Sequence, residues 1–291
     1  MSKIAIVTDS NSGISQEEGK ALGIAIVPMP FFIDDETYYE GINLSQPEFY
    51  EHLKSGVDIS TSQPTPDSIM KLWDELLQDY DEIVHIPMSS GLSGSFQTAN
   101  MLSSEDEYEG KVQVVNNQRV SVTQKQSALD AKELAEHGKS ALEIKEILEK
   151  EKFNSSIYIM LDTLYYLKKG GRITPAAATL GTILRIKPVL QIQGEKLDAF
   201  AKARTVNQGK NIMVTALKND VINRMQGLKQ TDDVWIEIAH TQNEEAANQL
   251  RDELLEIFPG YHIVVDALSL SIACHIGPGS LAVACSKRIS Y

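Results

Sequence analysis

Two segments in the N-terminal half of the chain combine hydroxyl side chains with prolines or glycines. The first reads STSQPTPD at residues 60–67, and the second reads PMSSGLSGSFQ at residues 87–97. Each runs directly into an amphipathic stretch of helical length, and the start of a helix offers unpaired N–H donors with partial positive charge. These hydroxyl loops, as we call them, therefore predict an anion site. The residues that we select for it are Thr61, Ser62, Ser93 and Gly94.

Ordinary structural roles account for part of both loops. Thr65 suits a helix N-cap and Pro66 the first helical position, and the second loop could be only a tight turn. A Walker phosphate loop is disfavoured because no lysine follows the glycines at the required place. A nucleophile elbow is disfavoured because GLSG at 91–94 brings the second glycine one position too early. From the residues alone, a turn and an anion site both stay open.

The second half of the chain adds a basic segment, YYLKKGGRI, at residues 165–173. Cations near a helix C-terminus and a glycine after it are usual capping features, which account for the two lysines and for Gly170. Arg172 lies beyond this cap and is a candidate functional cation. Arg204 is a second candidate, although it stands directly before a helix start at Thr205 and could be an ordinary surface residue.

A histidine near the C-terminus completes the set of candidates. His275 lies in ACHIGPG at 273–279, which we interpret as a rigid loop, and a single histidine of this kind has either a structural or a functional role. Cys274 beside it raises the question of a metal. The spacing to the nearest other candidate ligands, His262 and Cys285, is poor, so we predict no metal site.

An α/β fold must position these residues. Short apolar runs alternate with amphipathic stretches of helical length, which is the pattern of parallel strands joined by crossover helices. In the first half we predict strands at 4–7, 24–27, 31–33, 83–86 and 112–115. The helices predicted between them lie at 46–54, 66–78, 94–102 and 123–136.

The sequence pattern of the second half of the chain predicts a separate sheet. A charged helix at 141–152 leads to strands at 157–161, 188–193, 196–201, 234–239, 261–265 and 281–284. The helices predicted between them lie at 176–184, 205–224 and 244–258. Gly194 and Glu195 separate two of the strands and form a hairpin signal, so this sheet should be mixed. We place the boundary near residue 154, which gives an N-terminal α/β/α domain with a parallel sheet at 1–154 and a C-terminal α/β domain at 155–291.

Composition and charge exclude several classes of function. The chain has 291 residues, 42% of them hydrophobic, which is enough to fill the cores of two domains. Its formal charge of −13 opposes nonspecific binding to nucleic acid or to an anionic membrane surface. The two cysteines fit no disulfide framework, the N-terminal residues lack the apolar region of a signal peptide, and no apolar run is long enough to span a bilayer. We therefore expect a cytoplasmic protein with no nucleic-acid partner, and leave transient membrane contact open.

Six motifs follow one another along the chain. They are TDS at 8–10, TSQPTP at 61–66, SSGLSGSFQTA at 89–99, YLKKGGRI at 166–173, IKPVL at 186–190 and HIGPG at 275–279. In this order they closely resemble the DegV family, lipid-binding proteins that include the acyl-carrying subunits of bacterial fatty acid kinases. The resemblance covers essentially the whole chain. It implies a two-domain DegV-like fold that binds one long-chain fatty acid between the domains, with the carboxylate near the hydroxyl loops and the acyl tail inside the C-terminal domain.

The resemblance also implies roles for the candidate residues. The residues selected from the hydroxyl loops would bind the carboxylate, with His275 close to it. Arg172 and Arg204 match basic positions linked to phosphorylation of the bound fatty acid by a separate ATP-binding kinase subunit, whose product is an acyl phosphate. The chain itself would then be a substrate-presenting subunit in phospholipid metabolism, not an enzyme, with no cofactor apart from its fatty acid ligand.

Two other functions stay open. Ser93 and His275 could act as the nucleophile and base of a serine hydrolase, which stoichiometric labelling of Ser93 by a fluorophosphonate would support. The chain could also be a lipid-responsive regulator without a kinase partner. The length and unsaturation of the acyl chain depend on the shape of a tunnel and cannot be read from the sequence.

Overall fold

The structure of the protein, a computed structural model, describes residues 2–180, 186–225 and 233–289. The chain forms two compact units. Unit 1 comprises the residues up to Lys152 together with Ser269–Ser271, and unit 2 comprises Phe153–Leu268 and the chain from Ile272 onward. The segment Ser269–Ser271 thus belongs to unit 1, although the sequence boundary placed it in the C-terminal domain.

Four parallel strands form the central sheet of unit 1. They are β1 (Ile4–Asp9), β2 (Ile24–Val27), β6 (Glu82–Ile86) and β7 (Val112–Val114). These strands are short aliphatic runs, as expected for strands that are buried on both faces. Their order is β2-β1-β6-β7. Because β1 has β2 on one side and β6 on the other, the strand order reverses at the carboxyl ends of β1 and β6, where ligands bind in open α/β sheets.

The helices of unit 1 are α1 (Gln16–Leu22), α2 (Gln46–Ser55), α3 (Pro66–Leu76), α4 (Ser95–Leu102), α5 (Val122–Glu136) and α6 (Ala141–Lys150). Helix α3 begins as predicted, since the side chain of Thr65 accepts a hydrogen bond from the amide of Ser68 and Pro66 occupies the first helical position. Trp73 of α3 is fully buried and packs in one apolar cluster with Val7 of the sheet. This packing anchors the helix that follows the first hydroxyl loop.

A second, three-stranded antiparallel sheet lies in unit 1. Its strands are β3 (Pro30–Ile33), β4 (Glu36–Tyr39) and β5 (Ile59–Thr61), in the order β4-β3-β5. The sequence predicted only the strand at 31–33. Strand β4 was missed because none of its residues is buried, and β5 because it has only three residues. The sheet bears on the candidate site because β5 ends at Thr61.

Unit 2 contains a six-stranded mixed sheet. Its strands are β8 (Ser155–Met160), β9 (Lys187–Ile192), β10 (Leu197–Ala203), β11 (Val234–His240), β12 (Ile263–Ala267) and β13 (Leu281–Lys287). The order is β10-β9-β8-β13-β11-β12, and only the pair β11 and β12 is parallel. The hairpin predicted at Gly194 joins β9 to β10. The predicted fold class, α/β with a parallel sheet in the first half and a mixed sheet in the second, is confirmed.

The helices of unit 2 are α7 (Tyr165–Gly170), α8 (Pro175–Leu180), α9 (Val206–Asn219) with a π-helical extension (Asp220–Arg224), and α10 (Glu244–Ile257). A further helix, α11, spans Leu270–Ile276. The interpretation of residues 273–279 as a loop was therefore wrong up to Ile276, because Gly277, Pro278 and Gly279 hid the helical spacing of the apolar residues before them. Residues 181–184 of the predicted helix at 176–184 lie outside the described residues.

Candidate functional site

The antiparallel sheet positions the first hydroxyl loop. Thr61 is the last residue of β5 and pairs with Phe31 of β3. The backbone amide of Ser62 donates to the carbonyl oxygen of Pro30 (3.1 Å). Both Thr61 and Ser62 are half-buried. Pairing with the sheet therefore fixes the beginning of the loop, and the helix that begins at Pro66 follows its end.

Backbone hydrogen bonds hold the second hydroxyl loop, which follows β6. The amide of Ser89 donates to the carbonyl of Arg119 (2.8 Å), and the amide of Ser93 donates to the carbonyl of Ser89 (3.2 Å). Ser93 Oγ in turn accepts from the amide of Ser95 (3.2 Å). Gly94 is the N-cap of α4 and makes no side-chain cap, so Ser93 takes over part of that role. The other amides of the first turn have no partner within the helix and can donate to a ligand.

Gln63 joins the two loops. Its Nε2 donates to Thr98 Oγ1 in α4 (2.8 Å), and a Cβ atom added to Gly94 would lie 2.3 Å from its Oε1. Only a glycine at position 94 allows this approach. Helix initiation does not explain Gln63 any more than it explains Thr61 and Ser62, which the sequence already indicates. Gly94 was selected as a ligand residue, whereas Gln63 was not. The structure thus brings Ser62 and Ser93 onto loops that are directly in contact.

The surroundings of Ser93 bear on the hydrolase alternative. Ser93 Oγ lies 2.8 Å from Ser95 Oγ and accepts from the Ser95 amide. In the part of the chain that the structure describes, these are the hydrogen-bond partners of the Ser93 hydroxyl, and neither is a general base. A nucleophilic serine needs such a base within hydrogen-bond reach. The arrangement is suited to donating hydrogen bonds to a bound anion.

His275 lies in the last turn of α11 and packs on a glycine of α7. A Cβ atom at Gly170 would lie 2.1 Å from His275 Nδ1, so only glycine leaves room for the ring. Burial, and then the positive charge of Arg172, lower the pKa of His275 from 6.5 to about 4. The imidazole is therefore neutral at pH 7 and carries one N–H donor, which can serve a carboxylate.

Arg172 follows the end of α7, but the capping glycine is not the one that the sequence indicated. Gly171 adopts a left-handed φ of +68° and its amide closes the end of the helix. Gly170 is the last helical residue, and its carbonyl oxygen accepts a hydrogen bond from the exposed Arg172. The capping role predicted for Gly170 was wrong, since the missing side chain serves the contact with His275. Gly170 therefore touches two of the selected residues at once.

The turn at residues 277–280, which we call the glycine turn, is packed just as closely. Gly277 and Gly279 have left-handed φ angles of +80° and +83°. A Cβ atom at Gly277 would lie 2.2 Å from Cδ2 of Tyr166, and one at Gly279 would lie 2.8 Å from Oδ2 of Asp162. Conformation and space therefore both require glycine at these two positions.

Thr241, fully buried just after β11, ties the glycine turn to the sheet of unit 2. Its Oγ1 donates to the carbonyl of Gly277 (2.6 Å) and accepts from the amide of Ser280 (3.0 Å). The amide of Gly279 donates to the Thr241 carbonyl (2.7 Å). No sequence pattern points to this residue, because its partners lie almost forty positions further along the chain.

Arg204 lies at the start of α9. Its backbone amide donates to Gln208 Oε1 (2.8 Å), and Thr205 accepts from the Gln208 amide (3.2 Å), so Thr205 is the N-cap of this helix. The Arg204 side chain is exposed. The arginine whose charge acts on His275 is Arg172, and the structure assigns no such interaction to Arg204 within the described residues.

Comparison with known proteins agrees with the motifs. The family profile described as "Uncharacterised protein, DegV family COG1307" matches residues 3–288. The chain belongs to the DegV family. Protein DegV of Bacillus subtilis is 31% identical over 287 residues, which cover 96% of this chain and 98% of the relative. A DegV domain-containing protein of Listeria innocua is 31% identical over 293 residues, which cover 98% and 99%.

Solved structures of DegV proteins have the same fold. A DegV family protein from Thermus thermophilus, described for its fatty acid binding, has a TM-score of 0.88 and 28% identity, with 98% of this chain and 99% of that chain covered. DegV of Bacillus subtilis, described as a fatty acid binding protein, has a TM-score of 0.86 and 29% identity, with 99% and 100% covered. Both are fatty acid binders of the family to which this chain belongs.

Over residues 2–180, 186–225 and 233–289 we find no group of three or more His, Cys, Asp and Glu side chains that could hold a metal ion. In the same residues no helix has both the length and the apolar character needed to cross a bilayer.

Proposed function

We propose that this protein binds one long-chain fatty acid and holds its carboxylate at the hydroxyl loops. The observation that carries the proposal is the contact of the two loops through Gln63, beside the start of α4. A carboxylate removed from water needs hydrogen bonds, and hydroxyls and helix amides supply them. Two DegV structures at 28% and 29% identity, both described as fatty acid binding, support the choice of ligand.

The acyl tail supplies most of the binding free energy in this proposal. Burial contributes about 0.8 kcal/mol per methylene, so a dozen methylenes contribute on the order of 10 kcal/mol. We assign the enclosure of the tail to unit 2, as the resemblance implies. Its apolar core contains Met160, Met213 and Met225, and methionine side chains adapt readily to irregular apolar ligands. The head group then determines the orientation of the ligand.

Three residues of unit 2, His275, Arg172 and Arg204, also have roles in this proposal. His275 lies close to the carboxylate in this proposal, and its pKa, lowered to about 4, keeps the imidazole neutral at pH 7. Arg172 and Arg204 support the transfer of a phosphoryl group from ATP, which a separate kinase subunit binds. In that reaction a carboxylate oxygen of the fatty acid bonds to the γ-phosphorus, ADP leaves, and the product is an acyl phosphate. The protein thus presents an insoluble substrate to a soluble enzyme.

Lipid analysis tests the binding step. Native mass spectrometry and extraction of freshly purified protein should recover about one fatty acid per chain. The double variant Thr61→Ala/Ser93→Ala should retain less. The matched control is Ser55→Ala/Ser104→Ala, which removes two exposed hydroxyls of unit 1 that, within the described residues, donate to backbone carbonyls. A protein that carries no lipid, or a control that loses as much lipid as the double variant, contradicts the proposal.

The kinase step is tested separately. The protein loaded with fatty acid is mixed with an ATP-binding kinase subunit and ATP, and the acyl phosphate is trapped with hydroxylamine. We expect an acyl hydroxamate only when both proteins are present, and less of it with Arg172→Ala. Retention of lipid without any product, for every kinase subunit of the source organism, would favour the lipid-responsive regulator.

A further inference from the structure

A buried carboxyl group lies where the strand order of the parallel sheet reverses. Asp9 is the last residue of β1, next to β6, and only 1% of its surface is exposed. In the part of the chain that the structure describes, its partners are N–H groups of Asn11, Met88 and Gln124, and none of them carries a charge. Burial raises the pKa of this carboxyl. A buried carboxyl without a cation is costly, so its position requires a reason.

The contacts of Asp9 show what the carboxyl holds. Oδ2 accepts from the backbone amide of Met88 (2.7 Å), which is the second residue after β6. Oδ1 accepts from the amide of Asn11 (3.0 Å) and from Nε2 of Gln124 (3.1 Å). The carboxyl therefore connects the end of β1 with the first turn of α5 and with the beginning of the second hydroxyl loop.

Gln124 fixes the carboxyl in place. The same Nε2 lies 3.0 Å from Thr8 Oγ1 and 3.2 Å from the carbonyl oxygen of Ile86, and Thr8 Oγ1 also donates to that carbonyl (2.8 Å). All these groups are buried. A dense set of hydrogen bonds among buried groups leaves the carboxyl little freedom, so its oxygens form a rigid reference point for the Met88 amide.

The loop transmits this position to the ligand residues. One residue after Met88, the Ser89 amide is held by the Arg119 carbonyl, and the Ser89 carbonyl holds the amide of Ser93. We propose that Asp9 is a positioning residue for the carboxylate site: by binding the Met88 amide, it sets the path of the loop that presents Ser93 to the head group. The inference rests on the proposed function and adds a residue that never touches the ligand.

The variant Asp9→Asn tests this role. It keeps the size of the side chain but replaces one carboxyl oxygen with an NH₂ group, so that a donor faces an N–H group that Asp9 accepts from. The probes are palmitic acid and hexadecanol, which share a tail and differ in the head group. A displaced Ser93 loses its hydrogen bond to the ligand head group, and this loss costs more for a charged carboxylate than for a neutral hydroxyl. The acid should therefore bind about tenfold more weakly, and the alcohol about threefold or less.

Comparison of the two ligands separates positioning from damage to the fold. A merely structural role would weaken both ligands by the same factor, and this result, or unchanged binding of the acid, would overturn the inference. The matched control is Asp130→Asn, a buried carboxyl on α5 that accepts from Gln126 in the same helix, and it should bind the acid normally. A control as weak as Asp9→Asn would likewise overturn the inference.

A second variant serves if Asp9→Asn fails to fold. Gln124→Met removes one donor from Asp9 and leaves Met88 in place, so it should weaken the acid by a smaller factor while the alcohol hardly changes. Equal weakening of both ligands by this variant overturns the inference. If the unaltered protein binds neither ligand, the proposed function fails and the inference with it, whereas normal binding by the unaltered protein and by Asp9→Asn removes only the inference.

Discussion

The second hydroxyl loop of unit 1 and the glycine turn of unit 2 both follow a regular element, but they are held by different forces. Asp9 holds the hydroxyl loop through a hydrogen bond from the Met88 amide to its carboxyl group. The glycine turn is held by Thr241 and, above all, by side chains that lie where a Cβ would otherwise be. Replacement of the carboxyl acceptor should therefore damage the first region, and added volume should damage the second.

The largest effect is expected for Gly277→Ala. Left-handed φ costs an alanine about 1–2 kcal/mol, and overpacking against Tyr166 adds about 1–3 kcal/mol, so the free energy of unfolding should fall by about 4 kcal/mol. Urea denaturation measures this change. Gly13→Ala is the control, because Gly13 has a similar φ of +84° in unit 1 but no atom within 4 Å of an added Cβ. Equal losses for both variants would show that backbone strain alone is responsible.

A smaller effect is expected for Thr241→Val, which keeps the shape of the side chain. The carbonyl of Gly277 and the amide of Ser280 each lose a buried partner, which should cost about 2 kcal/mol. Chemical denaturation measures the loss, and Thr241→Ser should restore most of it because the hydroxyl returns. If the valine variant keeps its stability and the serine variant loses it, the methyl group of Thr241 and not its hydrogen bonds holds the turn.

Gly170→Ala should cost about 1 kcal/mol, because the gain in helix propensity offsets part of the clash with His275. The double variant Gly170→Ala/His275→Ala removes both partners of the clash. A double-mutant cycle on the free energy of unfolding should therefore show the alanine at 170 to be harmless once the ring is gone. If the two changes in the free energy of unfolding simply add, the close contact between Gly170 and His275 is contradicted.

The smallest effect is expected in the pH dependence of the free energy of unfolding, to which one buried histidine in each unit contributes. Burial lowers the pKa of His85 to about 3, and burial with the charge of Arg172 lowers that of His275 to about 4, both from 6.5. Between these values and 6.5 the unfolded chain binds more protons, so stability falls as the pH drops from about 6.5 toward 4. His275→Gln should flatten this slope, as denaturation at several pH values would show. An unchanged slope would mean that His275 is as exposed as in the unfolded chain.

The sequence predicted the elements whose pattern of apolar residues is visible along the chain itself and missed strands that depend on their partners. Strands β1 and β2 are aliphatic runs and were predicted, whereas β4 and β5 form only because β3 lies between them. The same holds for the site. The hydroxyls and the histidine were selected by residue type, but the close approaches of Gln63 to Gly94 and of His275 to Gly170 join distant parts of the chain. A glycine whose missing side chain makes room for a distant residue looks, in sequence, like any other glycine.

The antiparallel sheet of unit 1 also limits how this chain can evolve. Thr61 pairs with Phe31, and neighbouring residues of a strand point to opposite faces. An insertion of one residue within β5 would turn Thr61 to the other face, whereas a change of length between Ile33 and Ile59 need not move it. The β3–β4 hairpin is already tight, with positive φ at Asp34 and Asp35. Among relatives of this protein, insertions and deletions should therefore be common in the stretch before Ile59 and rare within the three residues of β5.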